Sequence, residues 1–242
     1  GLRALGDNTT ANYNTAVGAN AGRHTTTGVR NTAIGYEALQ SNTTGSYNTC
    51  IGNRTMISGS GSNNVIIGKS AAESGSYAAD SNTFVGYYAG NTMTTGSNNV
   101  CLGQQSNASS NTSSNQVTLG NSNISSLRCQ VTSITSLSDE RDKTDIIDLP
   151  IGLDFLNTIR PVKFTWKHRE PVESKDGTSK AGFIAQELDK AQKDAGVADY
   201  MKLVLDDNPD KLEASAGHLL PVMVQAIKEL SAKNDELAAE IA

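Results

Sequence analysis

The stretch NTAIGYEALQSNTTGSYNTCIG, residues 31–52, carries nearly the same five-residue phrase at both ends. Working outward, the phrase recurs as NTAVG (14–18), NVIIG (64–68), NTFVG (82–86), NVCLG (99–103) and QVTLG (116–120). Its closing glycines, Gly18, Gly35, Gly52, Gly68, Gly86, Gly103 and Gly120, stand 17, 17, 16, 18, 17 and 17 residues apart. A unit of that length cannot bury a core alone and is stable only when stacked on its neighbours. Within each phrase the second and fourth residues, such as Val65 and Ile67, fall on one face of a short strand. The residue between them (Ala16, Ala33, Cys50, Ile66, Phe84, Cys101, Thr118) points to the opposite face and is mostly apolar. Both faces are therefore expected to be covered, one of them by neighbouring chains. The closing glycine supplies a tight corner or a positive φ. A second glycine three residues before the asparagine, as in Gly28/Asn31 and Gly45/Asn48, marks a turn. The fold expected for residues 1–124 is a mainly β repeat solenoid, with a trimer as the natural way to cover its second face.

These phrases resemble the head repeats of trimeric autotransporter adhesins and similar repeats in phage tail fibres, over roughly residues 4–124. The resemblance implies left-handed β-rolls assembled as trimers. Side chains expected to be exposed, Tyr13, Tyr36, Tyr47, Tyr77, Tyr87 and Tyr88 among them, offer a surface to a host glycan or protein receptor. Asparagine and threonine ladders, however, are what any such solenoid needs for its own turns.

At LSDERDK (137–143) the composition changes abruptly, with five charged residues in seven positions. Residues 1–137 hold 6 of the 20 Lys/Arg and 4 of the 25 Asp/Glu, leaving 14 and 21 for residues 138–242. Two units are expected, joined by a linker over 125–137 with apolar positions at Ile124, Leu127, Val131 and Ile134. A net charge of -5 argues against a nucleic-acid footprint. No apolar run approaches the ~20 residues of a membrane helix, and no charged-then-apolar leader opens the chain. The first residue is Gly1 rather than Met, from which an upstream part is expected. Cys50, Cys101 and Cys129 form no CxxC pair, and His24, His168 and His218 are scattered, so neither metal nor cofactor is expected.

Downstream, DLPIGLDFLNTIRP reads as a helix with Leu153, Leu156 and Ile159 on one face, ended at Arg160-Pro161. VKFTWK (162–167) alternates as a strand, EPVESKDGTSK is a polar loop, and AGFIA (181–185) is a buried strand followed by the helix QELDKAQ. YMKLVLDD offers a further strand. Leu220, Met223, Ile227, Leu230, Asn234, Leu237 and Ile241 then follow alternating spacings of three and four, the seam of a coiled coil. Asn234 at an a position weakens association but selects register and oligomer number. The other reading of this segment is a single amphipathic helix packed on its own unit.

LSDERDK, LDFLNTIRPVKFTWK, AGFIAQEL and LLPVMVQAIKEL together resemble the C-terminal intramolecular chaperone domain of phage endosialidase tailspikes and other tail fibres, a domain also found in the myelin regulatory factor. The resemblance, over about residues 134–242, implies an α+β homotrimerisation domain with a C-terminal coiled-coil helix. Such a domain helps the upstream β-structure fold and then releases itself. It also implies a Ser-x-x-x-x-Lys pair falling on Ser138 and Lys143, with the family's intervening Asp and Arg on Asp139 and Arg141.

A serine hydroxyl needs a base, and lysine serves only if burial or nearby positive charge lowers its usual pKa of ~10.4. Arg141 offers such charge; Asp139, Glu140 and Asp142 oppose it. Ser138 Oγ reaches the Leu137 carbonyl through a five-membered ring, whereas its own carbonyl would require a four-membered one. Leu137–Ser138 is the expected scissile bond, with attack on a neighbouring chain as the alternative geometry. The expected protein is the distal part of a viral tail fibre or spike, assembled in the host cytoplasm. It cleaves only itself, and the released chaperone is absent from the virion. The competing reading is a surface adhesin whose C-terminal domain is a permanent, uncut trimer clamp.

Overall fold

The computed structural model describes residues 1–75, 77–130, 134–166 and 179–241, and the chain divides into units Gly1–Ser125 and Ser126–Ala242. In the first unit each phrase forms a three-residue strand: β1 Thr15–Val17, β2 Thr32–Ile34, β3 Thr49–Ile51, β4 Val65–Ile67, β5 Thr83–Val85, β6 Val100–Leu102 and β7 Val117–Leu119. They pair in sequence order in one parallel sheet, each phrase in register with the next, as in Ala33↔Cys50↔Ile66↔Phe84. The N-terminal unit is thus a parallel β-solenoid.

The middle strand residues form the interior: Ala33, Cys50, Ile66, Phe84 and Cys101 are buried. Burial pushes the Cys50 thiol's pKa up, in keeping with a packing role. The flanking residues face outward: Val17, Ile34, Val65, Val85, Leu102, Val117 and Leu119 are 36–71% exposed, so this chain leaves its outer apolar face open. In the four central coils the position six residues beyond the middle one is of complementary size. Small Ala33 and Cys50 are matched by Leu39 and Met56, larger Ile66 by Ala72, and Phe84 by Gly90, where a Cβ would lie 2.1 Å from the ring. Close packing at constant coil spacing requires this exchange. Leu39, Met56 and Ala72 adopt positive φ, a conformation costing roughly 1–2 kcal/mol each outside glycine.

A second internal column is polar. Asn31, Asn48, Asn64, Asn82 and Asn99 are buried, and each Oδ1 accepts the backbone N–H of the same position one coil onward at 2.8–3.0 Å. The Nδ2 groups of Asn31, Asn48 and Asn82 donate to the carbonyls of Gly45, Gly61 and Gly96. The turn glycines therefore serve the preceding coil's asparagine. The corner glycines stack as closely: at Gly52 (φ +140°) a Cβ would lie 2.5 Å from the Gly68 carbonyl oxygen. Tyr77, expected at the surface, is instead buried in the 18-residue coil. Its hydroxyl donates to Asn64 Oδ1 and accepts from Asn82 Nδ2, and its ring meets Phe84 edge-on. Tyr13, Tyr36, Tyr47 and Tyr87 are exposed and Tyr88 is half-buried.

The second unit is a small α+β assembly: α1 Leu153–Thr158, β8 Val162–Thr165, β9 Ser179–Gly182, α2 Ala185–Asp194, α3 Ala198–Met201, β10 Val204–Leu205, β11 Glu213–Ala214 and α4 Leu220–Ile241. Helix α1 is shorter than expected because Gly152 has non-helical angles and Pro161 disfavours helix at Arg160. Its buried residue is Phe155; Leu153, Leu156 and Ile159 are only partly covered. The strand expected at 181–185 lies at Ser179–Gly182 and is largely exposed, since antiparallel pairing of Thr165 with Ser179 and Val162 with Gly182 sets the register. Phe183 and Ile184 lead directly into α2. Of YMKLVLDD only Val204–Leu205 is strand, because Tyr200 and Met201 belong to α3 and Lys202 turns into the left-handed region. Most of the expected loop 170–180, together with His168 and Val131, lies outside the described residues.

Phe155, Leu188, Val197, Met201, Leu203, Val204, Leu219 and Val222 form the core of this unit. Helix α4 packs on α1 and buries Val222 and Ala226, and Glu229 Oε2 accepts the Leu153 N–H at 2.8 Å, capping α1 from 76 residues away. This N–H, then the Gln225 amide, holds the Glu229 carboxyl below its usual pKa. A lowered folded-state pKa stabilises above the unfolded value of ~4.3 and stops doing so as pH falls through the folded value. Thermal unfolding of this unit is therefore expected to depend less on pH between about 5 and 3 in Glu229→Gln, which hydrogen-bonds without titrating, than in wild type. Parallel curves would remove the titrating cap.

Candidate functional site

The segment around LSDERDK is exposed throughout, with Ile134 and Leu137 almost fully in solvent. Its regular element is a single 3₁₀ turn, Glu140–Asp142. Asp139 caps the turn: its backbone is extended and its Oδ1 accepts the Arg141 N–H at 2.9 Å. The Asp142 and Lys143 N–H groups donate to the Asp139 and Glu140 carbonyls. The chain extends again at Lys143, whose Nζ stands 2.6 Å from Ser138 Oγ and 3.2 Å from the Ser138 carbonyl oxygen. Five fully extended residues would separate the two Cα atoms by roughly 17 Å. The turn shortens this span to one a lysine side chain bridges.

Arg141 does not lend its charge to Lys143. Its guanidinium binds Asp139 in a fork, Nε to Oδ1 at 2.9 Å and Nη2 to Oδ2 at 2.6 Å. Hydrogen bonds from Arg141 hold the Asp139 carboxyl below the usual carboxylate range, and the same contact raises the Arg141 pKa. The two charges largely cancel beside the Ser138–Lys143 pair. A serine hydroxyl and an amine at this distance can exchange a proton, and the carbonyl of Leu137 is one bond from the serine nitrogen.

The seam residues Leu220, Met223, Ile227, Leu230, Asn234, Leu237 and Ile241 are all exposed, Ile227 by 64% and Leu237 by 55%, and from Ser231 to Ile241 every residue of α4 is exposed. Packing on the unit's own core uses the other stripe, Val222 and Ala226. The seam is thus not the surface that holds α4 to its own unit.

The sequence did not point to Glu229, because a carboxylate meeting a helix start 76 residues away leaves no local signal. It did not point to Gln192 either, buried with Oε1 accepting the Leu203 N–H and Nε2 donating to Asp189. His218 Nδ1 lies 2.9 Å from the Met201 carbonyl oxygen and serves as a cap. A groove beside it, lined by Asp189, Lys193, Lys202 and Asp206, mixes both signs of charge. Among the described residues no group of three His, Cys, Asp or Glu side chains is placed to hold a metal, and no helix is long and apolar enough to cross a membrane.

Residues 138–197 match the model of the family described as chaperone of endosialidase, a self-cleaving, peptidase-type chaperone domain; the match begins on Ser138. No curated protein and no solved structure matches the chain.

Proposed function

We propose that this chain is the distal part of a trimeric phage tail fibre or spike, whose C-terminal unit guides folding and trimerisation and then cuts itself free between Leu137 and Ser138. The observation that carries this reading is the 2.6 Å approach of Lys143 Nζ to Ser138 Oγ at the residue where the family match begins. Lys143, neutral, takes the hydroxyl proton while Oγ bonds to the Leu137 carbonyl carbon. The C–N bond breaks, the proton passes to the Ser138 nitrogen, and an ester joins Leu137 to Oγ. Water hydrolyses the ester, leaving a carboxylate on Leu137 and restoring the serine hydroxyl.

Trimerisation is supported by two apolar surfaces that one chain leaves open, the outer face of β1–β7 and the α4 seam. Three copies would cover both, and would shield Leu137, Ile146 and Ile147 beside the pair. The exposed Tyr13, Tyr36, Tyr47 and Tyr87 would remain for a host-surface glycan or protein receptor. Separation also suits the fibre: once the guide has left, the route back to separate chains lacks it, and the product is kinetically stable.

Intact mass and native mass spectrometry test this reading. Wild type is expected to split after Leu137, with residues 1–137 remaining trimeric. A full-length trimer that never splits would make the C-terminal unit a permanent clamp.

A further inference from the structure

We infer that Asp139 is the positioning residue of this cut: its side chain builds the 3₁₀ turn that sets Lys143 against Ser138, and it acts through capping rather than through its charge. The inference rests on the self-cleavage proposed above. Ser138 and Lys143 are five residues apart in an exposed segment, with neither side chain buried in a packed core. What brings them together is local. Glu140, Arg141 and Asp142 form the turn, Lys143 leaves it extended, and the cap at its start is Asp139 Oδ1 on the Arg141 N–H. An exposed three-residue turn has little other support, since such turns have poor hydrogen-bond geometry. An N-cap oxygen satisfies a donor that the helix start otherwise leaves open.

The charge of Asp139 has a different partner. Both its carboxylate oxygens accept from the Arg141 guanidinium, whose side chain is 88% exposed. An ion pair of that kind contributes little in water. Asparagine and serine cap as well as aspartate does, but carry no charge. Capping and charge are therefore separable at this one position.

The test measures the rate of appearance of the residue 1–137 fragment in the full chain, for wild type, Asp139→Asn, Asp139→Ser and Asp139→Ala. Asparagine and serine are expected within about threefold of wild type. Alanine is expected to slow cleavage on the order of 10- to 100-fold, the cost of misplacing a reacting group by about an ångström. Circular dichroism checks that each chain is folded. Should alanine fail that check, the two uncharged capping variants still decide, because slow cleavage in both overturns the capping role. An alanine chain that folds and cleaves at the wild-type rate overturns the positioning role while leaving the Ser138–Lys143 reading intact. A wild type that never cleaves overturns both.

Discussion

Alanine at Lys143 is expected to leave the chain uncut, with cleavage slowed on the order of 10²–10⁴-fold, the usual contribution of a positioned general base. Alanine at Ser138 removes the bond-forming oxygen itself and should abolish the reaction. The expectation follows from geometry: Lys143 Nζ contacts both the hydroxyl and the carbonyl of Ser138. Lysine serves as a base only through a neutral amine. Arginine at 143, protonated at any accessible pH, should fail as completely as alanine. The position is exposed, so neither substitution disturbs a core, and both variants should still assemble. Intact mass against time, at several chain concentrations, makes the comparison. A rate that rises with chain concentration would tie the cut to assembly, as shielding of Leu137, Ile146 and Ile147 implies. Wild-type cleavage kinetics in the Lys143→Ala chain would remove lysine from the chemistry.

Asn64→Ala should destabilise the solenoid by about 3–5 kcal/mol, near the upper end for single substitutions. Asn64 is fully buried. Its Oδ1 accepts from the Asn82 N–H and the Tyr77 hydroxyl, and its Nδ2 donates to the Ala79 carbonyl and Asn48 Oδ1. Alanine leaves these partners in a site too enclosed to supply water to each, and an unsatisfied buried group costs about 1–3 kcal/mol. Aspartate should be worse, since the oxygen that replaces Nδ2 would face two acceptors, the Ala79 carbonyl and Asn48 Oδ1. Denaturant unfolding at fixed chain concentration measures the loss, because stability in an assembly depends on concentration. A change below about 1 kcal/mol would show that the column is not cooperative.

The repeat array was legible because a solenoid imposes one rule on every coil. The period from Gly18 to Gly120 and the turn glycines are local consequences of a 17-residue circuit, and strand register follows once each phrase meets its copy. Alternation left the middle residues on the face expected to meet neighbouring chains, whereas the stacked coils bury Ala33, Cys50, Ile66, Phe84 and Cys101 and turn the flanking residues outward. The exchange of size between Phe84 and Gly90, or Ala33 and Leu39, is also written in the sequence, although six-residue spacing alone does not say that the two side chains meet. Tyr77 was misplaced because a hydroxyl reads as polar until two asparagines are found to satisfy it.

In the second unit the sequence determined where composition changes, the five-residue spacing of Ser138 and Lys143 across a charged segment, and an apolar seam from Leu220 to Ile241. Tertiary structure decided which side of α4 meets its own core, since both stripes of that helix are apolar and only contact with α1 selects Val222 and Ala226. It also decided that Glu229 closes the start of α1 from 76 residues away, whereas the turn of Arg141 to Asp139 rather than to Lys143 is settled within the local 3₁₀ turn. Periodicity reports which side chains share a face. Which face is buried, and which carboxylate caps a distant helix, depends on distances between segments that only folding brings together.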